Sequence, residues 1–597
     1  MGRMTQTERQ RAEQVLINRY GEAGRHLLAT KAPPGLAENL KLRTQTAASA
    51  TAEQTFSTKA AMVTPPFAVR VLNHLTYGAT AQSIAEFNAL GTTNAARLTA
   101  FVEQQLYPGA IADPLVNTIL DDPLGNFTTL KLTLQEQWQT YVIDHVGPGT
   151  GPRPAQEVQL AALVRAVYSK RQLHEMTVGF WHDHFNVFAR DLFQQSVYVH
   201  YTNVIRTHAF GNFRTFLEAI AKSTAMMYYL DNAFSTVSGP NENFARELLE
   251  LHTLGADNYL GHMNPLEVPD DDEDPAFPIG YVDADVYATA EALTGWTVKN
   301  GRGVATENDG TFVYRSQWHD DYPKLVLGMY LPAAQANMKD GRDILDRLAQ
   351  HPKTARYICS KLIRRFVADV PPPTLVTSAA QVFRNNWTNP EQIRITLRHI
   401  LTSPELQNSW GNKARRPFEV LAAALRAGGT NWAPQFNGAT ANFLLARLTE
   451  TGNGIYEWQP PNGYPDVAGA WRGTNTRVTT WRMENWLQDA LENGAGSENV
   501  LPILEITRQN LTGGTAATTW TAQNLVNFWC RRLLGYLPTE THRIELVNFM
   551  AQNGDPLTYV IPDTNAASAA DLKNHYNQQR IKSMVALILM SPEFTSR

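Results

Sequence analysis

From Glu157 to Gly255 the apolar residues recur almost throughout at the spacing of a helix face, with breaks at Gly211–Asn212 and at Ser238–Pro240. Amphipathic helices sustained over such a stretch can bury their stripes only against other helices. This feature therefore commits the chain to a mainly α fold, a large multi-helix body. Helical patches such as PFAVRVLNHLTYG and AQSIAEFNAL precede it between residues 67 and 107. Strand-like pieces are few, and the spacing predicts one short β-hairpin in which Thr311–Tyr314 pairs with Lys324–Met329. Across 597 residues, 43% hydrophobic and 18% charged, there is ample apolar material for a core, which excludes a disordered chain. A net charge of −4 argues against a basic nucleic-acid binder. No apolar run approaches the ~18 residues of a transmembrane helix.

Four regions are expected. Residues 1–60 form a helical arm (TERQRAEQVLINRYGEAGRHL, then a break at Pro33–Gly35), and 61–427 form the main helical domain. Residues 428–500 read as a long loop region, rich in Gly, Pro, Asn and Trp and including QPPNGYPD. Residues 501–597 form a helical module that echoes 355–406: Arg-Arg at 364–365 and 531–532, then apolar helices running into Ser-Pro-Glu at 403–405 and 591–593. Proline cannot continue a helix, so both helices stop there. The acidic run 270–274 lacks EF-hand spacing and its glycine, and is expected to be a solvated loop. Cys359 and Cys530 allow at most one bridge and leave the compartment open. The polar start MGRMTQTERQ has no apolar stretch of a secretory signal.

Chemistry is most legible in the histidines. On a helical projection of 171–188, His184 falls inside the apolar stripe and His182 on the opposite face. On 196–210, His208 lies near the stripe's centre. In PNENFARELLELHTLG, Asn241 is a candidate N-cap, Glu247 borders the apolar stripe, and Glu242, Arg246 and Glu250 form an ion-pair ladder. The structural alternative for Glu247 is a buried salt bridge to Arg206 or Arg246. Trp318-His319-Asp320 places a histidine beside a carboxylate at a strand end. Imidazoles with one carboxylate suit a divalent metal ion, zinc or iron. The expected ligand set is His184, His208, Glu247 and His319, with Glu247 and Asp320 in catalytic roles. Zinc would support hydrolysis and iron oxidation. The alternative from another class is a non-catalytic helical binding or assembly protein with structural histidines. No G-x-S-x-G, H-E-x-x-H, P-loop, G-x-G-x-x-G or C-x-x-C motif is present. In the loop region, Trp432, Trp458, Tyr464 and Trp471 lie among amides, a composition suited to a glycan or peptide polymer, with Arg472 and Arg482 as candidate anion contacts.

Several segments together resemble one bacterial family, domain of unknown function 1800: FWHDHFNV (180–187), IRTHAFGNFRTFLEAIAKSTAMMYYLDN (205–232), NENFARELLELHTLG (241–255), DVYATAEALTGW (285–296), WHD with KLVLG (318–328), HPKTARYICSKLIRRFVAD (351–369) and RRPFEVLAAALR (415–426). The resemblance runs from about residue 65 onward. It implies no catalytic residue. It does imply an exported or periplasmic, envelope-associated setting, and a sulfatase-like partner of domain of unknown function 1501. The chain departs from the family in having no visible signal and in its acidic insertion near 264–280.

Overall fold

The computed structural model describes residues 4–32, 36, 62–121, 126–144, 152–191, 193–489, 500–515, 517–552, 554–564 and 576–597. The Pro33–Gly35 break and residues 37–60 of the expected arm lie outside them. The fold is mainly α-helical. One contiguous apolar cluster runs from Ala68 to Phe594, so helices from the whole length of the chain share a single core. Among the described residues no helix is long and apolar enough to cross a membrane.

Helix ends follow local chemistry. Asn212 caps the helix Phe213–Ala221 by accepting from the Thr215 amide, and Asn241 caps Glu242–Glu247 by accepting from Asn243. The two Ser-Pro-Glu echoes end one helix and start the next. The helices Gln392–Leu401 and Asn577–Leu589 stop just before them, and Ser403 and Ser591 then cap short helices that begin at Pro404 and Pro592.

Two expectations are corrected. Thr311–Tyr314 and Lys324–Met329 do not pair with each other. β1 (Trp296–Asn300) pairs antiparallel with β2 (Asn308–Tyr314), and β3 (Lys324–Val326) with β4 (Met329–Leu331). The second turn is Leu327-Gly328 with both residues at positive φ, the tight geometry that closes a two-residue hairpin. The region 428–500 is not one loop. Ala439–Glu450, Ala468–Trp471 and Thr474–Leu487 are helices. Leu444 and Leu448, then Thr480, Met483, Glu484 and Leu487, supply inward faces at helical spacing, which the surrounding Gly and Pro obscure. The acidic loop is solvated at Asp272 and Glu273, and it is also tied to neighbouring helices: Asp271, which is buried, pairs with Lys353 at 2.9 Å, Glu273 with Arg356, and Asp274 with Arg384 at 2.6 Å.

The N-terminal helix Gln6–Ala29, kinked at Gly21, docks Ala12 and Leu16 on Leu325 and sends Arg19 to Glu291 and Asp320. Both cysteines are free and buried. Glu484 is 1% exposed, and neither of its carboxyl oxygens has a partner among the described residues. Burial therefore holds it well above the ordinary carboxylate range. An acid raised on folding leaves stability intact below its unfolded pKa and erodes it as pH climbs towards the folded value. Glu484→Gln should match wild type near pH 4 and melt about 2 °C higher at pH 8. Melting curves that stay parallel across that range would contradict the assignment.

Candidate functional site

The histidines expected to hold a metal do not converge. His184 ends the helix Gln172–His184, where its Nε2 meets the His252 carbonyl at 3.1 Å. His208 ends the helix Tyr198–His208 and stacks on Phe216. His319 directs Nδ1 at the Thr294 carbonyl (3.0 Å) and Nε2 at Asp340 (3.4 Å). Asp320 is paired with Arg19 and, at 3.3 Å, with Lys324. Glu247 is half-buried where the helix Glu242–Glu247 passes into the π turn Leu248–Thr253. Burial, then Glu250, pushes its carboxyl up to about 7. Among the described residues no three His, Cys, Asp or Glu side chains are arranged to hold a metal ion. His184, His208, His319 and Asp320 are engaged by neighbours where they stand. The alternative for Glu247, a salt bridge to Arg206 or Arg246, is also absent among the described contacts. Arg206 instead pairs with both oxygens of Glu175 at 2.7 and 2.8 Å, and Arg246 reaches Asp283 at 3.4 Å. His182, placed by periodicity on the outer face, is 2% exposed because Tyr456 stacks on it at 4.0 Å.

Other residues do converge. Beside the end of the 172–184 helix lies a partly open cavity of about 70 Å³, walled by four guanidiniums (Arg165, Arg206, Arg365, Arg416) and three carboxylates (Glu175, Asp183, Glu419). The helices Arg153–Tyr168, Gln172–His184, Tyr198–His208, Pro352–Phe366 and Pro417–Gly428, or the residue just before the last, each bring at least one of these charges. Four of the resemblance segments thus meet at this cavity: FWHDHFNV through Asp183, IRTH through Arg206, KLIRRF through Arg365 and RRPFE through Arg416 and Glu419.

The carboxylates are all engaged. Glu175 is held by Arg206, and Asp183 by Arg416. Glu419 is held by Arg365 at 2.6 Å and by Arg597 at 3.5 Å. Behind the wall, Asp466 lies 3.2 Å from Lys413 and 3.4 Å from Arg416. Arg365 holds Glu419 down to about 2 against the opposing effect of burial. Asp183, by contrast, stays raised because burial outweighs Arg416. Arg165 is left over: no carboxylate among the described residues pairs with it. Burial, then repulsion from Arg206, pulls it down to about 10. The Nε atoms of Arg365 and Arg416, side chains 4% and 9% exposed, also lack partners.

The segment 453–466 closes the cavity, and its glycine is essential to that closure. Gly463 has φ +70°, and a Cβ there would lie 1.9 Å from the Asp183 carbonyl oxygen. Asn186 donates to the Trp458 and Pro460 carbonyls at 2.8 Å each, and the Tyr464 hydroxyl donates to Gly454 at 2.7 Å. Of the residues expected to meet a polymer, Tyr464 is buried and lines the cavity. Trp458 is half-buried against Tyr464, with its indole N–H on Asn462. Trp432 and Trp471 are buried. Arg472 is half-buried, and Arg482 is exposed on the 474–487 helix. The loop therefore borders the 180–187 segment, while His319 contacts Thr294, Tyr314 and Asp340 instead. The sequence reading missed Arg165, Arg365, Arg416 and Glu419. The Arg-Arg pairs in KLIRRF and ARRPFE were the available signal, since adjacent arginines inside apolar helical segments cannot both face water.

Fold and cavity together define a helical protein with an arginine-walled cavity. Over residues 70–596 the chain matches the family described as protein of unknown function (DUF1800), and it belongs to that family. No curated protein and no solved structure matches it.

Proposed function

We propose that this protein binds the anionic group of a small ligand, a carboxylate, phosphate or sulfate, in the arginine-walled cavity. The carrying observation is Arg165, a guanidinium that faces the cavity without a carboxylate. A half-buried cation with no paired carboxylate carries a desolvation cost, and an oxyanion that accepts charge-assisted hydrogen bonds relieves it. The unpartnered Nε atoms of Arg365 and Arg416 add donors in the planar geometry suited to oxyanions. The cavity volume of about 70 Å³ admits one such group. The metal-dependent hydrolase or oxidase reading gains no support from the placement of His184, His208, Glu247 and His319. The exported setting and the sulfatase-like partner implied by the family resemblance stay proposals, tested by co-purification from the envelope fraction.

The direct test is thermal denaturation at constant ionic strength with phosphate, sulfate or acetate against chloride. A ligand at a hundred times its dissociation constant stabilises the native state by ~2.7 kcal/mol. At least one oxyanion should raise the melting temperature of wild type and leave Arg165→Gln unmoved. Equal shifts in both proteins would reject the site.

A further inference from the structure

The two Arg-Arg pairs lead to two different cavities. Arg365 and Arg532 hold the same place in the echo, each the second arginine of its pair. Arg365 lines the cavity described above and meets Glu419, in the first turn of the helix Pro417–Gly428. Arg532 lies at the other end of that helix. Gly429 caps it with φ +76°, and a Cβ there would come within 2.3 Å of the Arg532 Nη2. At that end Arg532 and Arg426, the latter from the last turn of the helix, line a partly open cleft of about 840 Å³.

The charges of this cleft are not balanced as those of the first cavity are. No carboxylate among the described residues pairs with Arg426 or Arg532, and burial is what pulls both guanidiniums down, Arg426 to about 10. Arg426 donates to the main-chain carbonyls of Gly78, Ala166 and Val167. Arg532 has no such tether, and its Nε is buried without a partner among the described residues. The two acids that line the cleft are engaged elsewhere. Asp113 accepts from the Ser169 hydroxyl at 2.5 Å and the Lys170 amide at 3.1 Å, and Glu86 accepts from Gln82 at 2.9 Å. Much of the remaining wall is apolar: Leu72, Leu90, Phe101, Ile111, Leu115 and Val167.

We infer that this cleft is a second ligand site, which takes an aliphatic carboxylate with its head on Arg532 and its chain against the apolar wall. The inference is independent of the anion-binding reading of the first cavity. A guanidinium without a counter-charge selects an oxyanion, which it can meet with two parallel hydrogen bonds. The apolar wall selects a hydrocarbon body, because a bare inorganic anion would leave that surface wet. The volume falls within the ~300–1,000 Å³ of ordinary small-molecule sites.

The experiment is calorimetric titration of the intact protein with dodecanoate below its micellar concentration. Wild type should bind it saturably, one per chain. Arg532→Gln should bind about tenfold more weakly. So should Leu115→Asp, which sets a negative charge on the wall at a residue that is 51% exposed. Both variants should melt close to wild type, since one loses an unpaired charge and the other changes an exposed side chain. Butyrate should bind about a hundredfold more weakly than dodecanoate, because each missing methylene removes buried apolar area. Dodecyltrimethylammonium, with the same chain and a cationic head, should not bind. Arg165→Gln should bind dodecanoate as wild type does. Absence of saturable binding, with or without pelleting on anionic vesicles, would overturn the proposal. Unchanged affinity in Arg532→Gln, or equal binding of the cationic amphiphile, would overturn the assignment of the head group. Should Arg532→Gln fail to fold, full affinity in Leu115→Asp would overturn the placement of the chain. Loss of dodecanoate binding in Arg165→Gln would move the carboxylate to the first cavity and overturn the second site.

Discussion

Replacing Arg416 by methionine should destabilise the protein by ~3–5 kcal/mol, the usual consequence of removing one partner from a buried ion pair. Arg416 is 7% exposed and lies against Asp183 and, at 3.4 Å, Asp466. Without it, Asp183 keeps only distant positive charge, and Asp466 depends on Lys413. Asp183 is already raised by burial with Arg416 beside it, so its carboxyl would be driven to protonate once the arginine is gone. The measurement is the shift in the urea midpoint, repeated for Arg416→Met with Asp183→Asn in the same chain. The double variant should recover part of the loss, because neither member of the pair is then left charged and alone. Arg165→Gln should do the reverse and leave stability unchanged or raised in anion-free buffer, since it removes a charge that has no partner. An Arg416→Met protein within 1 kcal/mol of wild type would refute the pairing.

Gly463→Ala carries the second large expected effect. Two independent penalties act at one position: a φ of +70°, which costs an L-residue roughly 1–2 kcal/mol, and a Cβ placed 1.9 Å from the Asp183 carbonyl oxygen. Backbone cannot yield cheaply on either side. Asp183 sits in the last turn of the 172–184 helix, and the 453–466 segment is tied down by Asn186 and by the Tyr464 hydroxyl. The segment must therefore lift away from the helix end and open the cavity. A loss of about 3 kcal/mol or more is expected, together with loss of any oxyanion-dependent rise in melting temperature. Gly452→Ala is the control: it also has positive φ (+82°), but its Cβ would meet nothing within 4 Å. Equal losses at the two glycines would show that backbone conformation alone, and not closure over Asp183, is at stake.

Much of this architecture was legible in the chain itself. The helical period between Glu157 and Gly255, the break at Gly211–Asn212, the Asn241 cap and the paired Ser-Pro-Glu stops are local properties, set by side chains within a turn or two of one another. The inward face of His184 and the boundary position of Glu247 followed from the same periodicity and hold in the fold. Periodicity failed for His182 because Tyr456, supplied by a segment far along the chain, buries a face that an isolated helix would expose to water. It also failed for the 439–450 and 474–487 helices, whose inward faces are diluted by polar residues and flanked by glycine and proline.

The choice of partner is where sequence stopped and tertiary structure decided. Asp183 and Arg416 are 233 positions apart, Asn186 and Trp458 are 272, and Arg19 and Asp320 are 301. Nothing in local spacing ranks Arg416 above Arg206 as the partner of Asp183, or the Thr294 carbonyl above a metal ion as the partner of His319. The sequence by itself determined the helical class, the Asn241 cap and Ser-Pro-Glu stops and the inward face of His184, because those depend on short-range backbone geometry and on hydrophobic periodicity. The tertiary structure alone decided that the inward arginines, not the inward histidines, would share one cavity. That outcome depends on how five helices cross, and on which buried charge is left without a counter-charge once they have.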